Sequence, residues 1–165
     1  MRKITTSPTI LIVDDEPTNI SLLGNALSDT YNLSVANSGE EALRIIEKGT
    51  LPDLILMDVM MKEMNGFEVC QKLKSRKDTA GIPVIFVTSL DDTINEEVGF
   101  KAGAVDYIYK PISPPIVRAR VKVHLEHTLY REYLELLLNQ RSSELESMER
   151  ETQELSEILG RLGSD

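Results

Sequence analysis

The chain has 165 residues, of which 41% are hydrophobic, so its length allows one substantial core rather than two. Its 27 acidic side chains outnumber its 18 basic ones and give a net charge of -9, which disfavours direct binding to nucleic acid or to an anionic membrane. The single cysteine, Cys70, cannot form an internal disulfide and is expected to pack in the core. No apolar run is long enough to cross a bilayer, so we expect a cytoplasmic protein.

Five short apolar runs alternate with helix-periodic segments, a pattern typical of parallel strands joined by helical crossovers. The runs are Ile10 to Val13, Leu33 to Ala36, Leu54 to Met57, Val84 to Val87 and Val105 to Tyr109. Three are almost wholly apolar, as strands covered on both faces should be, whereas the second is mixed and suits a sheet edge. Right-handed crossovers then predict a doubly wound α/β fold with five parallel strands in the order 2-1-3-4-5.

Two of the intervening helices can be traced from their apolar faces. Their apolar positions are Ile20, Leu23 and Leu27 in the first helix and Ala42, Leu43, Ile45 and Ile46 in the second. Ser38 is followed three residues later by Glu41, which has the form of a capping box that opens the second helix.

The sequence changes character beyond Pro114 and Pro115, because helix formers dominate and neither glycine nor proline recurs before Gly160. One long helix is therefore predicted. A 4-3 spacing over residues 134–162 selects nine positions, which we call the seam: Leu134, Leu138, Arg141, Leu145, Met148, Thr152, Leu155, Leu159 and Leu162. Seven of the nine are apolar, which predicts a coiled coil that makes the chain a homodimer. The alternative is an amphipathic helix folded back on its own domain.

These patterns divide the chain into four predicted parts. Residues 1–8 form a flexible N-terminal segment, residues 9–126 an α/β domain, residues 127–162 a helical stalk and residues 163–165 a tail.

Polar side chains follow the predicted strands at the edge where open α/β sheets bind ligands. Asp14 and Asp15 follow the first strand, Asp58 the third, Thr88 the fourth and Lys110 the fifth. The first and third strands are predicted neighbours, so three carboxylates should converge and raise one another's pKa values. A hard cation such as Mg²⁺ relieves that repulsion, while a lysine and a hydroxyl suit a phosphoryl group. A carboxylate in this setting can act as the nucleophile and form an aspartyl phosphate.

Four stretches resemble, in order and spacing, the receiver domain of bacterial response regulators: ILIVDDEPTN, PDLILMDVMMKEMNGFEVC, IPVIFVTS and GAVDYIYKPI. The resemblance covers residues 9–126 and implies a flavodoxin-like fold. It also implies that the chain is a signalling receiver rather than an enzyme with a separate substrate. Its phosphoryl donor would be a sensor histidine kinase or a histidine phosphotransfer protein.

The resemblance assigns a role to each acidic residue of this edge. Asp58 would be the phosphoacceptor, and Asp15 and Asp58 would bind Mg²⁺ directly, with Mn²⁺ as an alternative ion. Asp14 would act largely through water, and the backbone carbonyl of Met60 would complete the protein ligands.

The resemblance also implies a set of phosphoryl contacts and a switch. Thr88 and Lys110 would contact the phosphoryl group, and the peptide bond that follows Lys110 would be cis. Thr88 and Tyr107 would form the switch, with Tyr107 at its aromatic position. Lys62 stands where the family usually has proline and Asn65 where aspartate is common, which leaves the conformation of the loop after Asp58 open.

The stretches GFEVCQKLK and GAVDYIYKPISPPIVRARVKVHLE resemble receivers that precede cyclic di-GMP enzymes of the HD-GYP or GGDEF class. Neither enzyme's signature is present in this chain, so the resemblance implies an output domain or an effector partner of that class.

Two other functions compete with this interpretation. A phosphatase of the haloacid dehalogenase type would place its nucleophile after the first strand in an Asp-x-Asp arrangement, whereas this chain has Asp14, Asp15 and Glu16 there. A receiver scaffold could instead dimerise without being phosphorylated. His124 and His127 lie three residues apart on the last helix and could bind a metal, although a surface or interface role fits them better.

Overall fold

A computed structural model describes residues 7–89 and 96–163 of the chain. Most of the predicted N-terminal segment and tail therefore lie outside the described residues. The chain divides into two compact units, Met1–Glu126 and His127–Asp165. The first unit contains the whole sheet, and the second contains the later turns of the last helix.

The first unit is built on one sheet of five parallel strands. They are β1 (Thr9–Val13), β2 (Asn32–Ala36), β3 (Leu54–Asp58), β4 (Val84–Ser89) and β5 (Asp106–Lys110). Their order is β2-β1-β3-β4-β5, which confirms the predicted topology and the edge position of the second strand. The central strand β3 is buried along its whole length, whereas β2 is fully buried only at Ala36.

The strand boundaries differ slightly from those predicted. β5 begins at Asp106 rather than at Val105, which is 40% exposed and lies just before the strand. β3 and β4 continue past their apolar runs to Asp58 and to Ser89. Asp58 and Thr88 are therefore strand residues, paired with Val87 and Tyr109 respectively at the end of the sheet.

Five helices cover the sheet. They are α1 (Pro17–Leu27), α2 (Gly39–Glu47), α3 (Gly66–Lys74), α4 (Glu96–Lys101) and α5 (Pro114–Leu162). On one face of the sheet, side chains of α1 and the first turns of α5 pack in a core that includes Leu23, Leu27, Val117, Val121, Ile12, Leu56 and Ile85. On the other face, α2 and α3 pack in a core that includes Ala42, Ile46, Val69, Leu73, Leu11, Met57 and Phe86. Each side chain of leucine size buried in this way contributes about 1.5–3 kcal/mol of hydrophobic free energy.

Two helices begin at side-chain caps. Ser38 Oγ accepts a hydrogen bond from the backbone N–H of Glu41 at 3.2 Å, as predicted. The Glu41 carboxylate accepts from the N–H of Asn37 rather than of Ser38, so the predicted capping box forms on one side only. A complete box opens α3, where Asn65 Oδ1 accepts from Glu68 N–H at 3.0 Å and Glu68 Oε2 accepts from Asn65 N–H at 2.9 Å. Asparagine caps helices as well as aspartate does, so the departure at this position leaves the cap intact.

The last helix, α5, confirms the predicted long C-terminal helix. In the first unit, its residues Val117, Val121 and Leu125 are buried in the core. In the second unit, all of residues 129–163 are exposed, including the seven apolar residues of the seam. None of the helices in the described ranges combines the length and hydrophobicity that crossing a bilayer requires.

Candidate functional site

Three carboxylates meet at the carboxyl edge of the sheet, on the loop after β1 and on the last residue of β3. One oxygen of each of Asp14, Asp15 and Asp58 lies within 4.8 Å of the other two. Asp14 and Asp58 are buried, with 1% and 4% of their surface exposed, while Asp15 is half-buried. The sheet order explains this arrangement, because β1 and β3 are hydrogen-bonded neighbours whose ends coincide.

Burial and the neighbouring Asp14 charge raise the pKa of Asp58 from its ordinary value of 3.8 to about 6. Lys110 partly offsets both effects, since its Nζ lies 3.4 Å from Asp58 Oδ1 and 3.6 Å from Asp14 Oδ2. A hydrogen bond from the backbone of Met60 also lowers the pKa of Asp58. The peptide bond between Lys110 and Pro111 is cis, as predicted. The site therefore has more negative charge than one lysine neutralises.

This pKa predicts how the stability of the metal-free protein depends on pH. A carboxyl group whose pKa is raised by folding destabilises the folded state once it ionises, so stability should fall as the pH rises from about 4 to above 6. A rise in the pKa of Asp58 from 3.8 to about 6 corresponds to about 2 to 3 kcal/mol. Urea unfolding with EDTA should show that Asp58→Asn gains more stability over the wild type at pH 7.5 than at pH 5. An equal gain at both pH values would contradict the raised pKa.

Two buried polar atoms of the described site have no hydrogen-bond partner in the protein: Asp14 Oδ2 and Thr88 Oγ1. Leaving a buried polar group without a partner costs about 1–3 kcal/mol, so these two atoms are available to a ligand or to ordered water. The β3–β4 register pairs Asp58 with Val87, which places Thr88 one residue beyond the level of Asp58. The two available atoms therefore lie after β1 and on β4, the strands on either side of β3.

The loop between β3 and α3 contributes backbone groups to the site. The N–H of Lys62 donates to Asp15 Oδ2 at 3.4 Å, a contact that a proline at this position could not make. Glu63 adopts a positive φ of 66° in this loop. A Cβ at Gly66 would overlap the carbonyl oxygen of Asp58, so only glycine lets α3 begin against the end of β3. The role of Gly66 could not be predicted from the sequence, because this close approach depends on tertiary packing.

Tyr107, the predicted switch residue, is only 4% exposed. Its ring centroid lies 5.7 Å from that of Phe86 and 5.2 Å from that of Phe100. A Cβ at Gly99 in α4 would overlap the Tyr107 hydroxyl, so the absence of a side chain at Gly99 is what allows the ring to lie inward.

Other residues singled out in the sequence lie outside the acidic site. His124 Nε2 is 2.9 Å from Asp106 Oδ2, and Arg120 donates to the other oxygen of Asp106 at 2.6 Å, so these three side chains form a polar cluster outside the acidic site. Cys70 is buried, its thiol donates to Ala102 O at 3.3 Å, and burial raises its pKa to about 11. Cys70 therefore packs in the core, as predicted.

Fold and site together define a doubly wound α/β domain whose sheet carries an acidic, lysine-bearing site at its carboxyl edge. Residues 10–122 match the family described as "Response regulator receiver domain". The chain belongs to this family, the receiver domains of two-component signalling systems. A dehalogenase-type phosphatase is thereby rejected. Receiver domains bind Mg²⁺ through a cluster of aspartates, and the unpartnered oxygen of Asp14 and the raised pKa of Asp58 show that this cluster fits a hard cation.

Similar proteins include both signalling enzymes and isolated receivers. The chain is 40% identical over 148 residues to the "Probable cyclic di-GMP phosphodiesterase" of Vibrio cholerae, an alignment that covers 86% of this chain and 33% of that protein. It is 43% identical over 117 residues to the response regulator PleD of Caulobacter vibrioides, covering 70% of this chain and 26% of PleD. Among solved structures, the receiver domain of a signal transduction histidine kinase from Syntrophus aciditrophicus is 37% identical, with a TM-score of 0.68 over 73% of this chain and 92% of that one. The chain thus spans about a third or less of these two curated relatives.

Proposed function

We propose that the chain is a phosphorylation-switched receiver in which Asp58 accepts a phosphoryl group from a histidine kinase or a histidine phosphotransfer protein. The observation that carries the proposal is the convergence of three carboxylates with the Lys110 ammonium, which lies 3.4 Å from Asp58 Oδ1. A nucleophilic carboxylate, hard-cation ligands and a positive charge are the groups that phosphoryl transfer to an acid requires.

In the proposed reaction, an ionised oxygen of Asp58 attacks the phosphorus of the donor's phosphohistidine. A P–O bond to Asp58 forms as the P–N bond breaks, and the donor imidazole leaves with the electron pair. Lys110 stabilises the negative charge on the equatorial oxygens, and the Thr88 hydroxyl donates a hydrogen bond to one of them. Asp15, Asp58 and the Met60 carbonyl would hold Mg²⁺, with Asp14 acting through water, and the ion would supply further positive charge.

The proposed switch begins at Thr88, whose hydroxyl has no hydrogen-bond partner among the described residues. A phosphoryl group on Asp58 would attract that hydroxyl and move Thr88 toward Asp58, which would open space on the side of Tyr107. Tyr107, which already lies inward against Phe86 and Gly99, would then be held in that position. The proposed change begins with local electrostatics and would alter the surface formed by α4 and β5, where a partner could detect it.

The output of the switch is proposed to involve cyclic di-GMP signalling. The alignment with the Vibrio cholerae protein covers 86% of this chain, which is more than the receiver match, so the likeness continues into the stalk of residues 127–162. We propose that a homodimer formed through residues 134–162 conveys the switch to an output domain or effector of the HD-GYP or GGDEF class.

The experiment that tests this function combines metal binding with phosphoryl uptake in Asp15→Ala. Because Mg²⁺ uses few protein carboxylates, losing one should weaken its binding at least about tenfold. Calorimetric titration measures the affinity, and intact-mass measurement after incubation with acetyl phosphate should show uptake that falls in parallel at low Mg²⁺. The matched control is Asp29→Ala, which removes an exposed acid outside the site. Wild-type protein that takes up no phosphoryl group with Mg²⁺ present would contradict the proposed function.

A further inference from the structure

Asn19 is a buried polar residue of α1 that has no role in the proposed phosphoryl transfer. Only 9% of its surface is exposed. Its Nδ2 donates to Asp14 Oδ1 at 3.3 Å and to Glu16 Oε2 at 3.1 Å. An amide nitrogen carries two hydrogens, so both donors of Asn19 are used on carboxylates at the edge of the site.

The hydrogen bond between Asn19 and Asp14 determines which carboxylate oxygen of Asp14 remains available to a ligand. Oδ1 accepts both from Asn19 and from the backbone N–H of Glu16, the latter at 2.8 Å. Oδ2 is buried, has no hydrogen-bond partner in the described protein and lies 3.6 Å from Lys110 Nζ. Two donors on one oxygen hold the carboxylate in a single orientation, which leaves the other oxygen for a ligand of the site.

The Asn19 amide also bridges two neighbouring carboxylates, those of Asp14 and Glu16. Asp14 and Glu16 both accept from one nitrogen, and Glu16 is exposed at the rim of the site. A leucine at position 19 would have a similar branched shape but no donor, and would leave Asp14 held by one hydrogen bond instead of two.

We propose that Asn19 is a positioning residue that orients Asp14 for binding of the divalent cation. The proposal rests on the proposed function, because it takes the acidic cluster to be the cation site. Groups that hydrogen-bond to the ligands of a metal typically change its affinity 10- to 100-fold when they are removed. Asn19 acts here on a ligand that binds through water, so we expect a change near the lower end, about tenfold.

The test is a calorimetric Mg²⁺ titration of the full chain with Asn19→Leu, which should bind Mg²⁺ about tenfold more weakly than the wild type. The matched control is Glu16→Gln, which keeps an oxygen for Asn19 to bind and leaves the Asn19–Asp14 contact in place. Its affinity should stay within about threefold of the wild type. Circular dichroism of the metal-free variants checks that they are folded. If Asn19→Leu is not folded, Asn19→Ala replaces it, and the same loss of about tenfold in Mg²⁺ affinity is expected.

A second measurement separates positioning from a general structural effect. In an Asp14→Ala background, which removes the acceptor of the Asn19 hydrogen bond, Asn19→Leu should cause little further loss of Mg²⁺ affinity, because the two residues act through one interaction and their effects are not additive. The proposal is overturned if Asn19→Leu binds Mg²⁺ as the wild type does, or if its effect is the same in both backgrounds. If Asp15→Ala also binds Mg²⁺ normally, the cation site itself is elsewhere and the proposed function fails. A loss with Asp15→Ala but none with Asn19→Leu overturns only the role of Asn19.

Discussion

Asp58→Asn is expected to abolish phosphoryl uptake, the largest effect that any single substitution in this chain should have on function. An uncharged amide oxygen is a poor nucleophile, and no other carboxylate occupies the end of β3 beside Lys110. Intact-mass measurement after incubation with acetyl phosphate and Mg²⁺ should show one phosphoryl adduct on the wild type and none on the variant. Asp29→Asn is the matched control, because it removes an exposed acid and should label as the wild type does.

The variant should also remain folded, which makes the loss of labelling interpretable. Asp58 is buried beside Asp14, so removing its charge relieves repulsion in the metal-free protein. A metal-free thermal unfolding midpoint at pH 7.5 that is equal to or above that of the wild type is therefore expected. Labelling of Asp58→Asn to the wild-type level would show that the phosphoacceptor is another residue.

Removal of the stalk is expected to convert a dimer into a monomer. The seven apolar residues of the seam have exposed fractions from 42% at Leu134 to 72% at Leu162. They form a stripe roughly 40 Å long at 1.5 Å per residue, which is too much apolar surface to leave in water. Light scattering at tens of micromolar should give twice the mass of one chain for residues 1–165 and a single mass for residues 1–126. If both are monomers, the stalk does not dimerise the protein.

A matched pair of substitutions locates the interface on the seam. Leu145→Glu places a charge in the seam and should dissociate the dimer, whereas Leu136→Glu lies on another face of the helix and should not. The two polar seam residues already have partners within one chain. Arg141 donates to Glu144 at 3.3 Å, and the Thr152 hydroxyl donates to Met148 O at 2.8 Å. They can therefore lie in a parallel pair and fix its register, as polar seam residues often do.

The fold and the acidic site could be predicted from the sequence because their signals are local. Each strand is a short apolar run, each crossover a helical period, and the right-handed crossover rule leaves few sheet orders. Once β1 and β3 are neighbours, the residues that follow them must meet, so Asp14, Asp15 and Asp58 could be grouped without coordinates. The signal for the long helix is also local, since a run of helix formers without glycine or proline suffices to predict it.

Other features depend on contacts that only the folded chain makes. Asn19 reads as an ordinary polar residue of α1, and it is the packing of α1 on the sheet that buries its amide beside Asp14. Gly66 and Gly99 resemble other loop and helix glycines, yet each lies against a residue brought close by tertiary structure, Asp58 in one case and Tyr107 in the other. Sequence periodicity indicates which face of a helix is apolar, but not how closely that face approaches its neighbour. The distance between two packed elements depends on the volumes of all the side chains between them. Those side chains pack together as the core forms, so the distance cannot be obtained from one segment alone.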